Sequence, residues 1–403
     1  MQKEATTAII VALIIGVIVG YAVCYTLTPR IIEKEVIVGK TIKAGFIYVG
    51  PIGDYGWTHA HDQGRLFCEE VFPWLETVYV ESVSEADAPR IIDSLITEEG
   101  CDVVFTTSFG YMDATIEAGE RHPDKIFFHC SGYKRAKNVG TYFAEFYQLY
   151  YLNGLMAGAL TNSNKIGYVA AHPIPEVVRH INAFALGIKE VNPNATVDVR
   201  WLYAWYNPTA AREAAEALIA KGCDVLAFTE DSPTVIQVAQ EYYEAGQPVY
   251  VFSHYSPMQS FGEDVCVSGQ LVHWEVIYAD ILSKIYAGYY NSTNLEDVDY
   301  WWMLREGAVE LGGEFGVPIN PKFVPILNST YIDHPEFGNI SVYELVMKRL
   351  EQMSEDTVVF DPFTGPIYDN EGTLRVEAGR RMTHDELWTI DWFVDNIVAE
   401  VPK

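Results

Sequence analysis

Rings, hydroxyls and carboxylates recur in seven short polar stretches, each following an apolar run. The first three are Gly50-Pro51-Ile52-Gly53-Asp54-Tyr55-Gly56-Trp57, Thr107-Ser108-Phe109-Gly110-Tyr111 and Ser131-Gly132-Tyr133. Farther on come His172-Pro173-Ile174-Pro175, Trp205-Tyr206-Asn207, Thr229-Glu230-Asp231-Ser232 and Ser253-His254-Tyr255. Such side chains suit a flat, uncharged, hydrogen-bonding molecule, because aromatic faces stack on it at roughly 1–3 kcal/mol per base and carboxylates accept its N–H groups. None of these stretches contains lysine or arginine, the groups that neutralise phosphate or carboxylate, so an anionic ligand is disfavoured. Lys134 and Arg179 lie just beyond them. The candidate ligand contacts are Asp54, Tyr55, Trp57, Ser108, Phe109, Tyr111, Tyr133, Pro173, Trp205, Asp231 and Tyr255. For each ring, packing in a core is the alternative.

Catalytic constellations are not apparent. His59-Ala60-His61-Asp62 has the spacing of a metal-binding pair, but it opens a predicted helix, where residues two apart diverge by about 200°. Asp333-His334 sits in an irregular stretch without an evident partner. There is no G-x-S-x-G elbow, Walker loop or G-x-G-x-x-G after a strand. Asp54, Glu230 and Asp231 are too few and too scattered to resemble the clustered aspartates of a nucleoside hydrolase. The expectation is a binding protein with no catalytic residue, no metal and no cofactor.

The candidate residues need elements to hold them. From Lys43 onward short apolar runs alternate with longer amphipathic ones, as in βα units wound into a parallel sheet. Predicted strands at 44–49, 77–83, 102–105 and 125–129 alternate with helices near 58–71, 86–97 and 112–120. After 138–143 a long helix runs to about Leu160, and the alternation restarts at 165–169, 196–203, 224–228 and 248–252. The echo of Gly100-Cys101-Asp102-Val103 in Gly222-Cys223-Asp224-Val225 points to two similar halves with a cleft between them. In open parallel sheets ligands bind beyond the carboxyl ends of the strands, which is where the seven stretches fall.

The fold class is therefore α/β, with two doubly wound lobes and a hinge. The first lobe is assigned 43–144 and about 256–292, and the second 145–255 and about 293–403, including a C-terminal wrap. Ahead of them, Thr7 to Leu27 is an uncharged apolar run long enough to cross roughly 30 Å of hydrocarbon. Residues 1–27 are read as a single-pass membrane anchor and 28–42 as a stalk, placing the lobes outside the cytoplasm. A cleaved signal peptide is the alternative, and the length favours retention. The formal net charge of −28 argues against nucleic-acid partners. Cys24, Cys68, Cys101, Cys130, Cys223 and Cys266 show no C-x-x-C pair and read as mostly buried apolar residues.

Several segments together resemble the basic-membrane-protein family of ABC substrate-binding proteins. They are KAGFIYVGPIGDYGWTHAHDQGR (43–65), FTTSFGYMDAT (105–115), NVGTYF (138–143), NKIGYVAAHPIPEVVRHINAFALG (164–187), AREAAEALIAKGCDV (211–225) and PFTGPI (362–367). The resemblance implies a type I periplasmic-binding fold, two lobes joined by three crossovers and closing on a purine nucleoside or a free base such as adenine. The family's Asp-x-Ser-Phe-Asn segment is similar to Asp54-Tyr55-Gly56-Trp57-Thr58, which puts Asp54 and Trp57 in the site. Where nucleoside-binding members carry a ribose-binding aspartate this chain has Ser253-His254-Tyr255-Ser256-Pro257, and 268–278 contains no lysine. Both departures favour a base without its sugar. The expected partner is an ABC permease in the membrane. A membrane-tethered ligand sensor of the same fold, and less so a nucleoside-processing hydrolase, are the alternatives.

Overall fold

Strands of a parallel sheet are buried on both faces, so they are written as largely apolar runs, and the described residues open on one, Ile42–Ile47, interrupted only by Lys43. The computed structural model describes residues 40–402. Strand β1 (Ile42–Ile47) leads to α1 (Trp57–Val71), β2 (Leu75–Val80), α2 (Ala88–Thr97), β3 (Val103–Thr106), α3 (Met112–Arg121), β4 (Ile126–Cys130) and β5 (Val139–Ala144). A second series runs α4 (Tyr147–Leu160), β6 (Lys165–Ala170), α5 (Pro175–Val191), β7 (Thr196–Trp201), α6 (Pro208–Ala220), β8 (Val225–Thr229), α7 (Thr234–Glu244), β9 (Tyr250–Tyr255) and β10 (Cys266–Val272). Then come α8 (Trp274–Tyr286), β11 (Asp299–Trp302) and β12 (Val309–Leu311). The remainder is α9 (Val324–Ser329), β13 (Tyr331–His334), β14 (Gly338–Ser341), α10 (Val342–Ser354), β15 (Ile367–Tyr368), β16 (Leu374–Val376) and α11 (His384–Trp388).

Two six-stranded sheets result, ordered β11-β5-β4-β3-β1-β2 and β12-β10-β9-β8-β6-β7. The first is parallel throughout, and its register sets Phe46 beside Phe105, whose rings stack with centroids 4.8 Å apart. The second is parallel except for β12, which runs against β10. The chain passes between sheets after β5, after β10 and after β11, giving the three crossovers of a hinge.

This strand order redraws the lobe boundaries. Residues 256–272 belong with the second lobe, because β10 pairs with β9, and 299–302 belong with the first, because β11 pairs with β5. The crossover falls at His273, between the last residue of β10 and the first of α8, about 17 positions later than the sequence-based boundary. Beyond α10 the chain wraps the second lobe, with Val197 donating to Asn396 O and accepting from Val398 N. Among the described residues no helix is long and apolar enough to cross a membrane. The anchor assigned to 1–27, and all but the end of the 28–42 stalk, lie outside those residues.

Helix α4 is buried almost all round, as its apolar sequence requires, because α5 packs on one side and α10 on another. The α4–α5 crossing depends on glycine. A Cβ added at Gly187 would run into Tyr151 O, and one at Gly154 into Phe184 O, both backbone atoms that cannot swing aside. Gly187→Ala is expected to cost about 2–3 kcal/mol. The measurement is the urea midpoint at unchanged m-value; a midpoint equal to the parent's contradicts the close crossing.

Candidate functional site

The carboxyl ends of the two sheets face each other across a narrow gap of ≈ 250 Å³, its open mouth included. From the first lobe Val49, Trp57, Ser108, Phe109 and Ser131 border it, and from the second Glu176, Trp205 and Tyr255. Trp57, Ser108, Phe109, Trp205 and Tyr255 were expected there from sequence. Val49 and Ser131 stand next to or within the loops already singled out. Glu176 was missed because it is the second residue of α5, one position past the His172–Pro175 stretch. A Pro-Glu opening a helix at a strand's carboxyl end is the signal that marks it.

The aromatic walls are fixed from behind. Trp57 Nε1 donates to Thr107 O at 2.6 Å, and the indole meets the rings of Tyr255, Trp274 and His61 edge-on at 5.0, 5.3 and 4.5 Å. His61, in turn, stacks on Trp274 at 4.1 Å and bonds Tyr278 OH at 2.6 Å. Burial pushes its pKa well below the usual histidine range. His59, two residues earlier, turns to Ile52 O at 3.2 Å, so the two imidazoles part. Tyr255 adopts φ +62°, which carries its buried ring back toward the gap, where its hydroxyl donates to Glu176 Oε1 at 3.2 Å.

Other candidates have different surroundings. Asp54 is buried, and its carboxylate accepts from the amides of Gly56 (2.8 Å), Thr58 (3.1 Å) and His59 (2.9 Å), so it caps the start of α1. Tyr111 is wholly buried in the first lobe and donates to Val83 O at 2.6 Å. Tyr55 and Tyr133 are 48% and 51% exposed and do not border the gap. Pro173 is half-buried on the β6–α5 loop, outside the bordering set. Asp231 is buried where its backbone lies against Gly56 of the first lobe, and its amide donates to Trp205 O at 2.8 Å.

The lobes are shut. Ser256 Oγ donates to Gly56 O at 3.1 Å, Tyr55 meets Phe261 edge-on at 5.2 Å, and Ser131 donates to Glu176. Closure concentrates acids. Burial drives Glu230 and Asp231 well above the carboxylate range, and the neighbouring charge of Asp54 adds to the rise at both. Glu230 Oε2 and Asp231 Oδ1 have no hydrogen-bond partner.

No cation borders the gap among the described residues. Lys134 pairs with Asp113 at 2.5 Å on the surface. Arg179 is fully buried away from the gap, with Nε 2.7 Å from Glu145 Oε2 and its guanidinium over the rings of Phe143, Trp301 and Trp388. No group of acids, histidines and cysteines that would hold a metal is found among the described residues. Cys68, Cys101, Cys130, Cys223 and Cys266 are free and buried, and burial pushes the Cys68 thiol up to about 12.

The model of the Bmp family, described as ABC transporter substrate-binding protein PnrA-like, matches residues 41–328. A putative ABC transporter glucose-binding protein of Haloferax volcanii is 41% identical over 284 residues, 70% of each chain. A purine-binding protein of Brucella abortus is 33% identical over 369 residues, 90% of this chain and 95% of that one. Among solved structures, an ABC transporter solute-binding protein from Aeropyrum pernix superposes with TM-score 0.65 at 16% identity, covering 86% of this chain and 95% of that one. The last likeness is one of fold: parallel α/β lobes like those of periplasmic-binding proteins.

Proposed function

The chain belongs to the Bmp family of PnrA-like ABC transporter substrate-binding proteins, and from that premise we propose that it captures an uncharged purine base by lobe closure outside the cytoplasm. It is a binding protein of an ABC transporter and not an enzyme. Release goes to a permease in the membrane, and the apolar run from Thr7 to Leu27 tethers the lobes beside it.

The observation that carries the ligand reading is a gap walled by Trp57, Trp205, Tyr255 and the Glu176 carboxylate without any cation. Rings stack on a planar heterocycle and the acid accepts its N–H groups. A base fits better than a nucleoside. In its shut form the gap is smaller than the roughly 300–1,000 Å³ of typical ligand pockets, which favours the smaller ligand, and His254, near the position of the family's ribose aspartate, is buried and bonds Tyr150 OH at 2.6 Å. The relative named for purine aligns over more of the chain than the one named for glucose.

Closure follows from differential affinity: a ligand resting on one lobe completes its contacts only when the other arrives. The full-length protein is expected to show a thermal shift of about 5 °C with saturating adenine or guanine, and no turnover of either. A response to glucose with none to any purine removes this assignment.

A further inference from the structure

From the surroundings of Glu176 we infer that this residue sets ligand choice within the purine class, selecting bases that present an exocyclic amine over those that present only a carbonyl there. The inference rests on the purine reading above and sharpens it. Glu176 is 3% exposed, occupies the first turn of α5, and borders the gap between the lobes. The first-turn position is favourable for an acid whatever the ligand, because the helix amino terminus carries partial positive charge. What that position does not explain is the pair of donors converging on it from the two lobes. Ser131, at the carboxyl end of β4 in the first lobe, donates to Oε2, and Tyr255, at the end of β9 in the second, donates to Oε1 at 3.2 Å.

A carboxylate offers about four acceptor sites on its two oxygens and no donor. Two hydroxyls occupy one site on each oxygen, and none of the other residues bordering the gap is a lysine, arginine or histidine. Excluding water from an acid in this state is costly unless its remaining sites are filled by donors. An anion, or an edge made only of acceptors, leaves them empty against a negative charge. An amine edge fills them. Because Ser131 reaches Glu176 only when the lobes are together, the same carboxylate reads the ligand and latches the closed form.

The test compares adenine, guanine and hypoxanthine by calorimetry on the full-length protein and its Glu176→Gln variant. Wild type is expected to bind at least one amine-bearing base 10- to 100-fold more tightly than hypoxanthine, whose carbonyl is flanked by a single ring N–H where an amine presents two donors, so that one bond to a charged acceptor goes unmade. In Glu176→Gln the amide donates as well as accepts, so the ratio is expected to fall to near one or to invert. Equal weakening of all three ligands, with the ratio unchanged, overturns the inference and leaves Glu176 a latch only. Should the variant not fold, the wild-type ratio decides alone, because hypoxanthine bound as tightly as the amine-bearing bases overturns it equally. Ser131→Ala, which removes the latch partner, is expected to weaken every base by one factor while keeping the wild-type ratio. A wild type that answers to glucose and to no purine sinks the purine reading itself, a result separable from a flat ratio among bound purines.

Discussion

Gly56→Ala is expected to raise the dissociation constant about 10- to 100-fold while shifting the stability of the unliganded protein by less than about 1 kcal/mol. A Cβ built at Gly56 lies 2.6 Å from Asp231 Cα and 2.9 Å from Asp231 C and Cβ. Gly56 belongs to the first lobe and Asp231 to the second, so the overlap exists only when the lobes are shut. Neither side can yield by rotating a side chain, because the atoms that collide are backbone and its first substituent. In the open form the added methyl meets nothing across the cleft, and Asp54 still caps α1. The variant thus taxes the closed population and leaves the fold alone. Calorimetry gives the affinity, and small-angle scattering with saturating ligand gives the shape; wild-type affinity in a compact, closed variant refutes the close lobe contact.

Much of the framework was legible because parallel strands leave a plain trace. Val103–Thr106 and Val225–Thr229 are buried at every residue, so each appears in sequence as an apolar run with no polar alternation. The misplaced crossover has its own physical cause. Cys266–Val272 is also buried throughout, but Ser268, Gly269 and Gln270 interrupt its apolar residues and a single residue separates it from α8, so neither an apolar run nor a turn marks where the strand ends. The C-terminal wrap resisted reading because β15 and β16 are two and three residues long, shorter than any period that would show them.

The site was legible to the level of its loops, and the reason for the limit is local. Asp54 and Trp57 are three residues apart in one turn, yet one carboxylate is consumed by amides while the indole faces the gap. Phe109 and Tyr111 are separated by one residue, and only Phe109 borders the gap. Which side chain faces inward is set by the phase in which each helix starts, and sequence spacing does not fix that to one residue. The absence of cations from the loops was a better guide, since it depends on composition and not on phase.

The largest loss of stability is expected from Arg179→Ala, about 3–5 kcal/mol near neutral pH. Glu145 is the first residue after β5, at one crossover, and its amide donates to Trp302 O at 2.8 Å, at another. Its carboxylate is fully buried, with Arg179 2.7 Å from Oε2, His180 2.9 Å from Oε1 and the Tyr147 amide also donating to Oε1 at 2.9 Å. Arg179 in turn lies over Phe143 and Trp301, which belong to the first sheet, and over Trp388 of the C-terminal wrap. Burial alone raises the Glu145 pKa, but the charges of Arg179 and His180 outweigh it and hold the group below the usual glutamate range. A group depressed in the folded state contributes stability above its unfolded pKa, near 4.5, and that contribution is lost as the pH falls through the lower folded value. Removing the guanidinium reverses the sign, because burial then dominates and the folded protein prefers Glu145 protonated. The deficit of Arg179→Ala relative to wild type is therefore expected to be largest at neutral pH and to shrink toward pH 5, by up to about 1.4 kcal/mol per unit. Arg179→Met combined with Glu145→Gln, which removes both charges, is expected to recover most of the loss. Urea denaturation of wild type and variants at the two pH values measures this; a deficit below about 1 kcal/mol, or one that does not change with pH, shows that the buried pair does not hold the hinge.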